Sequence, residues 1–284
     1  MISEEEQDQF KELIKKERTK LPSSKILVEN ILEGNPDILK PLEKNEISQI
    51  IESLCQKTYE LYLNKESEFN KKMMKLLPEV IRTPKDVLEK LIDENTLSLE
   101  KEKLKERIRE ICGEYSGKIF PFLYILNLST TQSRRSRSGQ TFESVIYSLY
   151  EKLEWSYDSQ KKVGAKLFKQ KKLGKKVDSI LPSIKCFEEK RDKVIIGTMK
   201  TSLRERWQEV AEEISRTNIP SIFLLTRDQD ISSNKAKEMS EHNITVVVYE
   251  KIKKTMKDHK NLISFEEYFF EEIPAKFEWW KTRM

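Results

Sequence analysis

The apolar positions of the first hundred residues recur at helical spacing. Residues 4–16 read as a charged amphipathic helix. In residues 47–61 the apolar side chains are Ile47, Ile50, Ile51, Leu54, Tyr59 and Leu61, which again line one helical face. Thr83 and Pro84 predict a helix start, with threonine as the N-cap and proline at the first helical position, where a missing N–H costs nothing. Val87, Leu88 and Leu91 supply that helix with an apolar face. Residues 99–112 form another, with Leu104, Ile108 and Ile111 on one side. This region reads as a helical layer supporting a core; DNA contact and dimerisation are the alternatives.

Further on the period changes. Residues 120–128 are apolar and aromatic and suit either a strand or a buried helix. Gly139 and Thr141 precede a helix that turns Phe142, Val145, Ile146, Leu149 and Tyr150 inward. Residues 177–187 and 193–199 read as two strands, followed by a helix over 203–216 with Leu203, Trp207, Val210, Ala211 and Ile214 inward. A strand over 219–226, a helix over 233–242 and a buried strand over 244–249 complete the series. That order predicts an α/β fold, a mixed central β-sheet flanked by helices. The expected division is a helical N-terminal region over 1–115 and an α/β core over 116–284. Phe265, Tyr268, Phe269, Phe270, Phe277, Trp279 and Trp280 are costly to expose, so the tail is expected to pack on the core or on a second subunit.

Composition narrows the class. The 284 residues are 37% hydrophobic, enough for a core at this length, and 36% charged, as in a soluble intracellular protein. The net charge of +5 does not by itself point to nucleic acid. Its distribution says more: Arg134, Arg135 and Arg137 cluster, and Lys161, Lys162, Lys166, Lys169, Lys171, Lys172, Lys175 and Lys176 form a run leading to Asp178. Such runs suit phosphate contacts, or are simply solvated faces. Cys55, Cys112 and Cys186 are too few and too scattered for a disulfide frame or a zinc site, and His242 and His259 suggest no histidine chemistry. No signal-peptide pattern and no bilayer-length apolar run is present.

The chemistry concentrates after the lysine run. Asp178 opens one apolar run, and Lys200 closes the next. An acidic residue heading one apolar run and a lysine ending the next resemble the layout of PD-(D/E)xK metal-dependent nucleases; the second acid that this resemblance implies is missing beside the lysine, since neither Met199 nor Thr198 is acidic, and Glu213 is the candidate to replace it. Cleaving a phosphodiester needs an in-line water, a cation that acidifies it, and charge that stabilises the pentavalent oxygens. Mg²⁺ takes hard oxygen ligands, which Asp178, Glu213 and a strand carbonyl near Met199 can supply. Lys200 would stand beside the water and the scissile phosphate. Such residues are also what any highly charged surface offers.

Arg204, Glu205 and Arg206 follow Lys200 after Thr201, Ser202 and Leu203. Arginine pairs bidentately with guanine O6 and N7, and a carboxylate accepts from cytosine N4, so the triplet can read a CC/GG step. The competing explanation is a capping box formed by Ser202 and Glu205 at a helix start.

Asp178, Lys200, the Arg-Glu-Arg triplet and Glu213 together resemble the site of PD-(D/E)xK nucleases, and most closely the type II restriction endonucleases that cleave CCGG and CCNGG, the SsoII, PspGI and EcoRII kind. In that group a glutamate migrated to the next helix replaces the second acid. The segment 131–143 resembles the group's Ser-Arg-x-Ser-Arg-x-Gly stretch leading to a helix with an active-site glutamate, which would be Glu143. The resemblance spans roughly residues 130–226. It implies a restriction-endonuclease-like fold and a Mg²⁺-dependent enzyme that cleaves double-stranded DNA as a homodimer at a palindrome with CC and GG half-sites. It also implies 5′-phosphate ends and a prokaryotic, cytoplasmic setting. Asp178, Lys200, Glu213 and Glu143 would be catalytic, with Asp178 and Glu213 holding the metal. Arg204, Glu205, Arg206 and Gln132 would read bases, and Arg134, Arg135 and Arg137 would hold the DNA backbone. A non-specific or structure-specific repair nuclease and a non-catalytic DNA-binding protein are the alternatives.

Overall fold

The computed structural model describes residues 3–171, 173, 176–217 and 219–283. Gly174, Lys172 and Lys175 of the lysine run lie outside the described residues. The chain divides into two compact units, one of residues 1–23 and 60–137, the other of residues 24–59 and 138–284.

The first unit is helical. Glu4–Arg18 is opened by a capping box between Ser3 and Glu6. Its Phe10 and Ile14 pack with Phe69, Met73 and Leu77 of the Ile47–Val80 helix and with Phe122 and Leu126 of the Lys101–Lys152 helix. Residues 120–128 are therefore helical, with Phe122 and Leu126 inward at i, i+4 spacing. The helix Arg82–Glu89 has Ile81 as its N-cap, two residues ahead of Thr83, the N-cap expected.

The second unit holds a six-stranded sheet in the order β1 (Asp158–Ser159), β2 (Ser179–Leu181), β3 (Ile195–Lys200), β4 (Ile222–Thr226), β5 (Ile244–Val248) and β6 (Leu262–Ser264). β2 pairs antiparallel with both β1 and β3, and β3 to β6 pair parallel in turn, which is the mixed sheet expected. Alternate residues serve opposite faces. Ile196, Leu224 and Val246 join Trp207, Val210 and Met239 on one side. Ile195, Leu225 and Val247 join Ile50, Leu54, Phe142, Val145 and Leu149 on the other. Phe265, Tyr268, Phe269 and Ile273 of the tail also pack on this second face, and Tyr150 and Tyr268 share a hydroxyl hydrogen bond of 2.6 Å.

Two expectations are corrected here. No new helix starts at Gly139 and Thr141; the helix runs unbroken through Lys101–Lys152. A single interior glycine costs only about 1 kcal/mol, and packed residues on both sides, Leu126 in the first unit and Phe142 and Val145 in the second, outweigh it. The first predicted strand is also far shorter: β2 stops before Pro182, and Ile184–Glu189 is a helix capped by Ser183. Asp158 accepts from the Ile184 amide at 2.7 Å, a contact that residue periodicity does not reveal. β1 and β6 were not anticipated because each is so short.

Candidate active site

β2 and β3 carry the centre of the site. Ser179 pairs with Gly197, and the Asp178 amide donates to the Gly197 carbonyl at 2.9 Å, extending the ladder by one residue. A Cβ at Gly197 would stand 2.5 Å from Ser179 Oγ, so any larger residue here would force the buried Ser179 hydroxyl to move. Asp178 Oδ2 accepts from the Met199 amide at 2.7 Å and from Thr198 Oγ1 at 3.4 Å. Lys200 Nζ stands 4.0 Å from the same oxygen and donates to Thr198 Oγ1 at 3.3 Å. Thr198 and Lys200 share one face of β3, as residues two apart in a strand must. Burial pushes the Asp178 carboxyl up to about 6; Lys200 opposes the shift and Glu143 adds to it.

The Lys101–Lys152 helix covers this pair from one side. Tyr147 donates its hydroxyl to the Asp178 carbonyl at 2.9 Å and stacks on Tyr157 with ring centroids 5.0 Å apart. Burial drives the Tyr147 hydroxyl far up from its ordinary pKa, with the charges of Asp178 and Glu143 acting in the same direction. Glu143, one turn before Tyr147, accepts from Lys161 at 2.8 Å. Glu143 and Asp178 are thus close enough to repel, and Lys161 and Lys200 offset the negative charge. The sequence had no signal for Tyr147 beyond its helical position.

The helix after β3, Arg206–Thr217, carries two glutamates of different character. Glu213 is buried and paired with Arg216. Glu209, one turn earlier and more exposed, pairs with Lys176; that pairing holds its carboxyl below the usual range, with Lys200 and Arg206 adding to the effect. On this helix, then, Glu209 feels the charge of Lys200. Among the described residues no three His, Cys, Asp or Glu side chains are gathered as a metal cluster.

Arg204, Glu205 and Arg206 are all exposed. The helix begins only at Arg206, and Arg204 has a left-handed backbone with φ of 33°. Ser202 and Glu205 therefore do not flank a first helical turn as a capping box requires. Leu203 is fully buried beneath the triplet; its amide donates to Asp228 Oδ2 at 2.7 Å and its carbonyl accepts from the Arg206 amide at 2.6 Å.

The remaining expected DNA contacts lie in the first unit. Gln132 and Arg135 are exposed. Arg134 forms two hydrogen bonds to the buried carboxylate of Glu66, which also accepts from Tyr62 at 3.0 Å. Arg137 donates to the Pro22 carbonyl at 2.7 Å and lies over the Tyr62 ring. Two of the three clustered arginines thus have structural partners within their own unit.

Comparison with known proteins gives these features a setting. A family model described as EcoRII C terminal matches residues 96–269. The type II restriction enzyme SsoII of Shigella sonnei is 33% identical over 175 residues, 61% of this chain. The match spans 56% of that relative's length. Ecl18kI, solved metal-depleted in complex with uncleaved DNA, superimposes with a TM-score of 0.74 at 25% identity, over 97% of this chain and 85% of that one. A PspGI–substrate DNA complex shares the fold, with a TM-score of 0.59 at 16% identity over 92% of this chain and 95% of the other. No helix among the described residues is long and apolar enough to cross a membrane.

Proposed function

The chain belongs to the EcoRII C-terminal family, and from that we propose that it is a type II restriction endonuclease cutting double-stranded DNA at a palindrome with CC and GG half-sites, CCNGG in the first instance. The observation that carries the reading is the pairing of Lys200 with Asp178 at 4.0 Å, followed in sequence by the exposed triplet Arg204, Glu205 and Arg206. One stretch of chain thereby joins a phosphodiester-cleaving pair to a base-reading group.

Asp178 suits a hard divalent cation as an oxygen ligand. Asp178 is a carboxylate whose ionisation is opposed by burial and by the charge of Glu143, a situation that a bound cation relieves. Mg²⁺ would be held by Asp178, with Glu143 beside it, and, as the family resemblance implies, by Glu213, which is paired with Arg216 here; it would supply Lewis acidity toward the attacking water. The chain's own groups do the rest. Lys200 places a positive charge at the scissile phosphate. Thr198 and the Met199 amide hold the Asp178 carboxylate in place, and Tyr147 fixes the backbone that carries it. Arg204 and Arg206 each take a guanine, and Glu205 accepts from cytosine N4. Gln132 contacts a base and Arg135 the DNA backbone, while Arg134 and Arg137 order the segment through Glu66 and the Pro22 carbonyl.

One triplet accounts for one half-site, so the active species is a homodimer whose two-fold axis coincides with that of the palindrome. The products carry 5′-phosphates, and the setting is the cytoplasm of a prokaryote. The test is to incubate a plasmid of known sequence with the protein, with and without Mg²⁺, and to sequence the fragment ends. Discrete Mg²⁺-dependent fragments ending at CC/GG palindromes are expected. Smearing or cutting only of branched DNA would indicate a different nuclease, and binding without cutting a non-catalytic protein.

A further inference from the structure

We infer that Asp228 is a positioning residue for base reading, an inference that rests on the function proposed above. Asp228 touches neither the triplet's side chains nor the catalytic pair. It lies two residues beyond β4, whose Thr226 is in parallel register with Lys200 of β3. The chain segments that follow these neighbouring strands leave the same end of the sheet, and Asp228 ties them together.

Both of its carboxylate oxygens are engaged. Oδ2 accepts from the Leu203 amide at 2.7 Å, and Oδ1 accepts from the Asp230 amide at 3.1 Å. The Asp228 amide in turn donates to the buried Thr226 hydroxyl at 3.0 Å. The bond to Leu203 is charge-assisted, the stronger kind of hydrogen bond to a main-chain amide. Leu203 is therefore held by its side chain in the core, by its amide on Asp228 and by its carbonyl on Arg206. The next residue, Arg204, has the left-handed backbone that non-glycine residues avoid. Such a conformation persists only where its surroundings over-determine it. Without the Asp228 anchor, Arg204 can relax toward negative φ, and its guanidinium leaves the position from which it reads a base. Because the anchor is built on the strand beside Lys200, it also sets the distance between the base that is read and the bond that is cut.

The experiment compares binding to a CC/GG-containing duplex and to a scrambled duplex, without divalent metal, for wild type, Asp228→Ala and Asp228→Asn. Thermal melting is followed in parallel. Asp228→Ala is expected to lower the preference for the CC/GG duplex about tenfold, roughly the discrimination of one guanine contact, while affinity for the scrambled duplex stays the same. Asp228→Asn keeps one oxygen for the Leu203 amide and should lose less. A purely structural role would lower the melting temperature and weaken both duplexes alike, which would overturn the inference. If Asp228→Ala does not fold, Asp228→Asn decides, and selectivity equal to wild type overturns the inference. Wild-type protein with no preference would overturn the proposed function and this inference with it; wild-type preference retained in both variants would overturn this inference alone.

Discussion

Lys200 Nζ lies 4.0 Å from Asp178 Oδ2, and the two side chains are only 14% and 20% exposed. The pair is mostly out of water, yet burial still outweighs the lysine and leaves the aspartate with a raised pKa. Its ionised form is thus a cost to the folded protein.

That cost predicts a stability effect of definite sign. The Asp178 carboxyl rises from an ordinary 3.8 to about 6, so between those values the folded protein keeps a proton that the unfolded chain has released. Stability contributed by this group therefore falls as pH rises through that window, and the loss is complete above it. Asp178→Asn should stabilise the protein by roughly 1–3 kcal/mol above the window and leave it unchanged below the window. The same variant should lose Mg²⁺-dependent cleavage. Denaturant unfolding at several pH values, alongside a plasmid assay, checks both; a variant less stable at neutral pH would count against the burial argument.

Glu213 and Glu209 make different predictions. Glu213→Ala is expected to abolish Mg²⁺-dependent cleavage and leave specific binding largely intact, because losing a metal ligand does not remove the base contacts. Glu209→Ala then affects cleavage only modestly. Near wild-type cutting by Glu213→Ala with a dead Glu209→Ala would instead assign the ligand to the glutamate that feels the charge of Lys200. Single-turnover cleavage and gel-shift binding of both variants separate the cases.

Arg204→Ala and Arg206→Ala should each cost about 1–3 kcal/mol of discrimination at one guanine. Glu205→Gln should weaken recognition at cytosine, since the new amide presents a donor to the N4 donor. The melting temperature should barely change, because Glu205 is exposed and does not close a capping box. Competition binding with single-base-substituted duplexes measures these effects. A mapped site without adjacent C·G pairs in each half would remove the basis for the triplet's role.

The arginine cluster should divide by partner. Arg134→Ala removes the cation hydrogen-bonded to the buried Glu66, leaving it the Tyr62 hydroxyl and the charge of Arg18. A loss of about 1–3 kcal/mol in stability is expected, discounted from a fully buried pair because Arg134 is partly exposed. Arg135→Ala should leave stability unchanged and make the salt dependence of DNA binding shallower by about one unit. Urea unfolding and binding titrations across salt concentrations test the two; an unchanged salt slope for Arg135→Ala would argue against phosphate contact there.

The sequence by itself determined what depends on near neighbours. β-branched and aromatic runs marked β4 and β5, helical spacing marked the Arg206–Thr217 and Ser233–Glu241 helices, and the pattern as a whole specified a mixed sheet flanked by helices. It also placed Asp178 and Lys200 on adjoining extended segments, which the ladder between β2 and β3 brings together. Tertiary structure decided the rest. The helix through 131–143 exists because residues on both sides of Gly139 are packed, although local propensity suggested a break. The Leu203–Asp228, Tyr147–Asp178 and Arg134–Glu66 contacts join residues 25, 31 and 68 positions apart. Periodicity reports which face of an element is apolar over a few turns. It carries no information about which polar group on a distant element will stand at hydrogen-bond distance, because that depends on how the layers pack.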